Sequence, residues 1–433
     1  MYRSTITLII TIVFSSSMAM ATTFNVPGDY SLIQDAINAS SNYDTVLVSS
    51  GIYTENIRFY GKNIVVTSTN GAASTTIQAA NTGVAVVRMI NGEPKGAEIS
   101  GFTITGSNYC GIDCDNSSPS IISNIIEKNK SNNPANGAGI DLNSTSGSLI
   151  KYNIFRYDTA DTYGSAIESF YSADDTICYN LIYDCRGVTE IRCVSCRAAI
   201  YNNTIDVDGS AFSGISNQDS EVIDCRNNII LNVPDTNLGV DAVGVYAAAG
   251  GYARVAYNCF FNNASGNYSG AGIILESGNK DSYPLFWATP LDDPDYYDLR
   301  PFSTCIDAGD SAAFFNDPDG SRNDMGWKPW YISPKQMELD TDEILPKDYS
   351  LTTNFPNPFN ARTTIQYSIP TDANVSLDIY DLLGRHVVRL VDNYQRAGIH
   401  QVVWDAAEHS SGTYFYKISS GDYNTTDKMI LLK

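Results

Sequence analysis

Histidine is almost missing from this chain. Three of 433 residues are histidine, and all three, His386, His400 and His409, fall within the last 50 positions. Everything before them is therefore without a Ser-His-Asp or Cys-His nucleophile system and without histidine-ligated zinc. Basic charge is scarce as well: 27 Lys and Arg stand against 48 Asp and Glu, a net charge of −21. That balance disfavours nucleic acid and acidic lipid as partners, and an acidic substrate would need a bridging cation. Beyond the first 21 residues no apolar run approaches the roughly 18 residues of a spanning helix, so no transmembrane segment is predicted. The nine cysteines lack the dense, regular spacing of a disulfide-stapled mini-domain. "CVSC" at 193–196 has no second CxxC to complete a zinc site, and reads as buried thiol or one local bridge.

What is present begins with a charged start at Arg3, an apolar run from Ile6 to Phe14 and a small-residue end at Ala19 to Ala21. This is the layout of a cleavable secretory signal over residues 1–21. An exported protein is expected.

The body, residues 22–332, is built on a repeated asparagine. Asn124, Asn153, Asn180, Asn203, Asn228 and Asn258 recur at intervals of 23 to 30, with Phe102 in the same slot 22 residues before the first. A short β-type segment precedes each one, a second follows it, and after a polar loop comes a third, such as "CGIDCD", "GAGIDL" and "GSAIES". A unit of three four- or five-residue strands cannot bury its apolar face alone. Stacked copies bury a continuous core and pair strand on strand in parallel. The spacing thus predicts an all-β, three-stranded parallel β-helix. In it the asparagine occupies a tight corner in left-handed conformation and its amide bonds to the amides above and below. At the start, "SLIQDAINAS" is read as a capping helix, with Ser31 and Gln34 in capping-box spacing. Near the far end, "STCIDAGD" and "DPDGSRNDMGW" are read as a closing turn and polar cap.

These features resemble the right-handed parallel β-helix superfamily that includes pectate lyases. The resemblance rests on the opening segment, the asparagine corners and the closing motifs of residues 24–330. It implies a carbohydrate-active or carbohydrate-binding protein, while identifying a fold better than an activity. The arginine-rich catalytic signature of pectate lyases is not found, and the solenoid lacks the histidine expected of polygalacturonases.

Residues 333–347, polar and flanked by proline, read as a linker. From 348 to 433 the pattern becomes a small antiparallel, immunoglobulin-like sandwich of alternating strands and short turns. Its motifs "FPNPFN", "IYDLLGR", "GIHQVVWD", "SGTYFYK" and "KMILLK" closely resemble the type A C-terminal sorting domain of the type IX secretion system. That implies passage through the periplasm to the outer-membrane surface or the medium, with the secretion machinery as a partner.

Candidate chemistry follows from strand alternation. With Ile112, Ile140, Ile167, Ile191 and Ile215 facing inward, the next residues face outward: Asp113, Asp141, Glu168, Arg192, Ser216, Tyr246 and Ile274. Three carboxylates and an arginine then stack about 4.8 Å apart, with Asp115 and Asn143 two positions along. A lyase would use calcium held by Asp113, Asp141 and Glu168, with Arg192 as base or charge stabiliser. A glycoside hydrolase would pair neighbouring carboxylates for retention, or Asp113 with Glu168, roughly 9.6 Å apart, for inversion. An esterase would use two acids and the arginine. A binding module, or an adhesin whose arginine merely offsets surface acid, accounts for the same residues. The many tyrosines read chiefly as cover for strands and loops, with some placed to stack on sugar rings. Asp317, Asp319 and Asp324 surround a glycine turn without the twelve-residue ligand series of an EF-hand.

Overall fold

A computed structural model of the chain describes residues 21–132, 137–161, 164–207, 212–219, 221–234, 242–248, 250–286, 297–329, 349–351, 354, 356–371, 373–395, 398–421 and 423–432. The expected signal up to Ala19 and Met20, and the expected linker, lie outside the described residues.

Three parallel sheets of eleven, nine and ten strands run the length of the body, each strand contributed by a successive turn. Their inward columns are aliphatic ladders. In the eleven-stranded sheet Val66, Ile99, Ile121, Ile150, Ile177, Ile200, Cys225 and Val255 stand opposite one another in register. The nine-stranded sheet stacks Val87, Ile112, Ile140, Ile167, Ile191, Ile215 and Val245. In the ten-stranded sheet the column runs Ile77, Ile104, Ile126, Phe155, Ile182, Ile205, Ile230 and Phe260. All of these are buried in one continuous core. β-branched side chains suit this stacking because their stiff rotamers pack flat against the rung above, and each buried isoleucine contributes about 1.5–3 kcal/mol of hydrophobic stabilisation. The body is a three-stranded parallel β-helix.

The N-terminal end is lidded by a helix, Ile33–Ala39, whose Ile33, Ala36 and Ile37 are buried. The capping box is absent. The N-cap position is Leu32, which makes no side-chain cap, and the free N–H groups of Ile33 and Gln34 donate to the Glu55 carboxylate at 2.9 and 3.0 Å. The next turn of the solenoid supplies the cap, so local spacing did not reveal it.

The asparagine ladder is present, with one change of position. The amide Nδ2 of Asn124, Asn153, Asn180, Asn203 and Asn228 each donates to Oδ1 of the next asparagine, and that Oδ1 also accepts the backbone N–H of its predecessor. The row continues from Asn258 to Asn279, and the Phe102 N–H donates to Asn124. The left-handed residue is the one before each asparagine: Ser123, Tyr152, Tyr179, Asn202, Asn227 and Tyr257 all have φ between 53° and 57°. Turning the chain there aims the following side chain inward, where its second donor reaches a strand carbonyl of the preceding turn, as Asn180 does with Ile150.

The segment 297–329 does not close the end of the solenoid. It lies along the outside of the ten-stranded sheet, where Tyr297, Leu299, Cys305, Ala308 and Met325 join the outward Leu181, Tyr183, Ile229, Leu231 and Cys259 in a second apolar cluster. Asn202 Nδ2 donates to the Asp324 and Gly326 carbonyls, and Asn227 Oδ1 accepts the Asp310 N–H. The outward apolar residues of these turns require a cover, and this strap provides it.

The last 85 residues form two antiparallel sheets, three-stranded and four-stranded, around a core that includes Trp404, Tyr416, Ile365, Leu377, Met429 and Leu431. In the "IYDLLGR" turn the Asp381 carboxylate accepts the N–H groups of Leu383 and Arg385 and pairs with the Arg385 side chain. The terminal strand Tyr423–Leu431 pairs along its whole length with Gly412–Ser420. "KMILLK" therefore ends the domain by burying Met429 and Leu431.

Candidate functional site

The nine-stranded sheet holds the expected acid column in register: Asp113 opposite Asp141, Asp141 opposite Glu168, Glu168 opposite Arg192, then Ser216 and Tyr246. Asp115 and Asn143 likewise face each other. Two things differ from expectation. The rung after Tyr246 carries Ser269. Ile274 belongs to the eleven-stranded sheet opposite Arg254, because the strand Gly266–Ser269 supplies the rung that the apolar run "GIIL" was expected to supply. At the other end the column extends through Arg88 and Arg58. Their turns lack the ladder asparagine that aligns the later ones. The full row reads Arg58, Arg88, Asp113, Asp141, Glu168, Arg192.

The arginines bracket the acids. Arg88 Nε lies 3.1 Å from Asp113 Oδ2. Arg192 donates to Glu168 Oε1 through Nη1 and, at 2.7 Å, to Gln218 Oε1 through Nη2. Two acceptors hold the Arg192 guanidinium in place.

The column points away from the core and yet is buried, which corrects the expectation of an open surface. Over Asp141 and Glu168 the backbone curls back at a glycine four residues earlier. Gly164 N–H donates to Glu168 Oε2 at 3.1 Å, and Gly137 N–H reaches Asp141 Oδ1 at 3.4 Å. A Cβ at Gly137 would meet the Ile140 carbonyl at 2.5 Å, and one at Gly164 the Ile167 carbonyl at 2.5 Å, so only glycine permits the close approach. Glu168 retains 1 % of its surface, whereas the Arg88 side chain keeps 32 %. The row is partly open at Arg88 and closed at Glu168, which makes it a candidate cleft.

Burial dominates the electrostatics. It raises the Glu168 carboxyl to about 7, against the opposing pull of Arg192 and the Gly164 hydrogen bond. Burial, together with the neighbouring charges of Asp113 and Glu168, lifts Asp141 well above the ordinary carboxylate range. Asp113 is raised by burial and held back chiefly by Arg88. Beside the row, the buried Glu190 is also pushed to about 7 by burial, with its Oε2 bonded to Ser165 Oγ.

The other candidates separate from this cleft. All nine cysteines are buried free thiols. Tyr152, Tyr179, Tyr201 and Phe315 form a chain of ring contacts at a different corner, with centroids 5.3, 6.0 and 5.4 Å apart and steep mutual tilts. Asp317 accepts the Asp324 N–H, Asp324 accepts the Asp307 N–H and Asp319 accepts Ser321, so the three acids tie the strap loop together. Among the described residues no three His, Cys, Asp or Glu side chains converge as a metal ion requires. In the acid row two of the three expected calcium ligands, Asp113 and Glu168, already pair with arginine. The arrangement fits calcium poorly.

Comparison with known families decides the nature of the tail. Residues 353–432 match the family model of the secretion system C-terminal sorting domain. The tail is a type IX sorting domain. Its presence assigns the protein to secretion or to the outer-membrane surface, with the secretion machinery as the partner of the sorting domain. No helix of the described residues is long and apolar enough to cross a membrane. A search of curated proteins found no match to the chain. The sorting domain therefore fixes where the β-helix goes, and the solenoid itself must indicate what it does there.

Proposed function

We propose that the protein is a surface-delivered β-helix that recognises polysaccharide along the outer face of its nine-stranded sheet. The observation that supports this is the registered row Arg58, Arg88, Asp113, Asp141, Glu168, Arg192, charged groups one rung apart on a long scaffold bound for the cell exterior. Arg88, partly open at the mouth of the cleft, is the group for a sugar carboxylate or hydroxyl, and the acids behind it accept hydroxyl hydrogen bonds. The test is saturable binding of the full exported chain to a panel of neutral and uronate-containing polysaccharides. At least one uronate polymer is expected to bind, with affinity reduced about tenfold in Arg88→Ala, the loss of one charge-assisted contact. Absence of binding across the panel, or an Arg88→Ala variant that binds as the parent does, removes the reading and leaves a structural surface protein or adhesin.

A second reading, cleavage, is favoured by the contrast between Glu168, held near 7, and Asp113, charge-paired with Arg88 two rungs away. Two carboxyls of unequal proton affinity about 9.6 Å apart suit an inverting glycoside hydrolase, with Glu168 as general acid, Asp113 as general base and Arg192 stabilising charge. Asp141 between them adds a carboxyl that can hydrogen-bond the substrate. New reducing ends from a bound polymer, reduced at least about a hundredfold in Glu168→Gln, are the expected result. Unsaturated uronate products would point to a lyase instead.

A further inference from the structure

Two thiols from distant parts of the chain meet beneath the strap. Cys259 lies on the strand Cys259–Phe261 of the ten-stranded sheet, and Cys305 on the strap that covers it; both are fully buried and belong to the same apolar cluster. Cys259 Sγ donates to the Ser282 carbonyl at 3.1 Å, and Ser282 Oγ lies 2.9 Å from Oγ1 of Thr304, the neighbour of Cys305, which sets the two thiols side by side, each acting on the other's proton affinity. Both backbones are pinned: Cys259 N–H donates to the Asn228 carbonyl, Cys305 N–H to Ser303 Oγ at 3.1 Å, and the Met325 N–H to the Cys305 carbonyl. Cys193 and Cys196 are the other neighbouring thiols, but they are three positions apart and bridge nothing beyond one turn.

We propose that Cys259 and Cys305 are joined by a disulfide in the exported protein, covalently fastening the strap to the solenoid. The sorting domain sends the chain out of the reducing cytoplasm, where apposed thiols become oxidised and the bond persists. The oxidant is a disulfide-bearing oxidase or a small-molecule disulfide. One cysteine thiolate attacks the oxidant's S–S bond to give a mixed disulfide, and the other displaces the oxidant's remaining sulfur. Two S–H bonds are lost, one S–S bond forms, and two electrons reduce the oxidant to two thiols. With both sulfurs fully buried once the strap is seated, the exchange takes place while the strap is still open. The finished bond is shielded from reductant until the strap lifts. Outward Leu181, Ile229 and Leu231 then stay covered during passage across the outer membrane.

The test is direct mapping of the full exported chain. The protein is unfolded in denaturant with an alkylating agent and no reductant, digested and weighed. The expected result is one peptide pair linked through Cys259 and Cys305, with Cys110, Cys114, Cys178, Cys185 and Cys225 alkylated as thiols. Alkylation of both Cys259 and Cys305, or a link from either to any other cysteine, overturns the proposal. A second measurement compares protein refolded in a glutathione redox buffer with protein refolded in excess reductant. The oxidised parent is expected to melt about 5 °C higher, and Cys305→Ser to melt at the same temperature in both buffers. Equal melting of the parent in both buffers also overturns it.

Discussion

Arg88 and Asp113 stand directly opposite each other on adjacent rungs, with Nε 3.1 Å from Oδ2. The pair gives the acid row a direction. At its open end an acid is neutralised by a partly exposed arginine, and towards Glu168 the glycine hydrogen bonds seal the cleft. Identical chemistry on successive turns is thereby split into acids of different proton affinity, the condition for acid and base roles to coexist in one site.

The raised Glu168 carboxyl couples folding to pH. Its folded value of about 7 lies above the ordinary glutamate value, so the native state binds the proton more tightly than the unfolded chain does. The stability it contributes is complete below about pH 4.5 and is lost as pH rises through 7. A shift of this size corresponds to roughly 3 kcal/mol. Thermal melts between pH 5 and 8 are expected to show a falling melting temperature, with a shallower slope in Glu168→Gln, which keeps the shape and lacks the titration. An unchanged slope would place the pH dependence on Glu190, Asp141 or Asp158, which burial also raises.

Arg192→Ala removes the cation that shares the cleft with Glu168. Above pH 7 the carboxylate is left buried and unpaired, at a cost of about 3–5 kcal/mol. Near pH 5 Glu168 is protonated and the loss is smaller. Urea midpoints measured at pH 5 and pH 8 should separate by more in this variant than in the parent.

The fold was legible because its determinants repeat. An inward isoleucine and a ladder asparagine recur on almost every turn, and each sees the same surroundings above and below. The acid row was legible for the same reason from Asp113 to Arg192. What stayed hidden was non-local or irregular. Arg58 and Arg88 lie on turns without the repeat's markers. Glu55 caps a helix from another turn, and Ile274 was misplaced by a polar strand, "GNYS", taking its rung. The glycine roof over Asp141 and Glu168 depends on how loops fold back, which strand alternation does not encode. The ladder's left-handed position was displaced by one residue because an asparagine is equally able to adopt that backbone and to form an amide ladder, and here the residue before it takes the turn.

Asn180 ties its turn to the ones before and after: its Oδ1 accepts from Asn153, and its Nδ2 donates to Asn203 and to the Ile150 carbonyl. Asn180→Ala leaves the Asn153 backbone N–H and one hydrogen of its side-chain amide unpaired in the core. A loss of about 2–4 kcal/mol is expected from the urea midpoint, since each buried group left unsatisfied costs about 1–3 kcal/mol. Asn180→Asp keeps the acceptor but sets a carboxylate against Asn203 Oδ1, so it should be more damaging at pH 8 than at pH 5.

Arg88 occupies the carboxylate that a calcium ion at Asp113 would need. In the parent the arginine already neutralises that carboxylate. In Arg88→Ala, Asp113 and Asp141 are left opposite each other without the cation. A ligand that binds only the folded state raises stability by RT ln(1 + [L]/Kd), so calcium at a hundred times its dissociation constant adds about 2.7 kcal/mol. Millimolar calcium is expected to raise the melting temperature of Arg88→Ala by more than that of the parent, and EDTA to abolish the difference. Equal shifts in both proteins would show that any calcium effect lies outside the acid row.

The sorting domain has its own core, and its two sheets contain only strands from residue 350 onward. Disrupting it should therefore block delivery without unfolding the solenoid. Met429 and Leu431 are fully buried at the C-terminal strand, and an aspartate at Met429 places a charge in that core at a cost of several kcal/mol. Met429→Asp, and a chain ending at residue 347, are both expected to accumulate in the periplasm, with the parent on the cell surface or in the medium; fractionation and protease accessibility of intact cells would report the difference. In the retained protein the β-helix should still resist proteolysis, because its ladders and its Ile columns contain no residue from the tail. Surface delivery of the truncated chain would mean that the solenoid carries an export signal of its own.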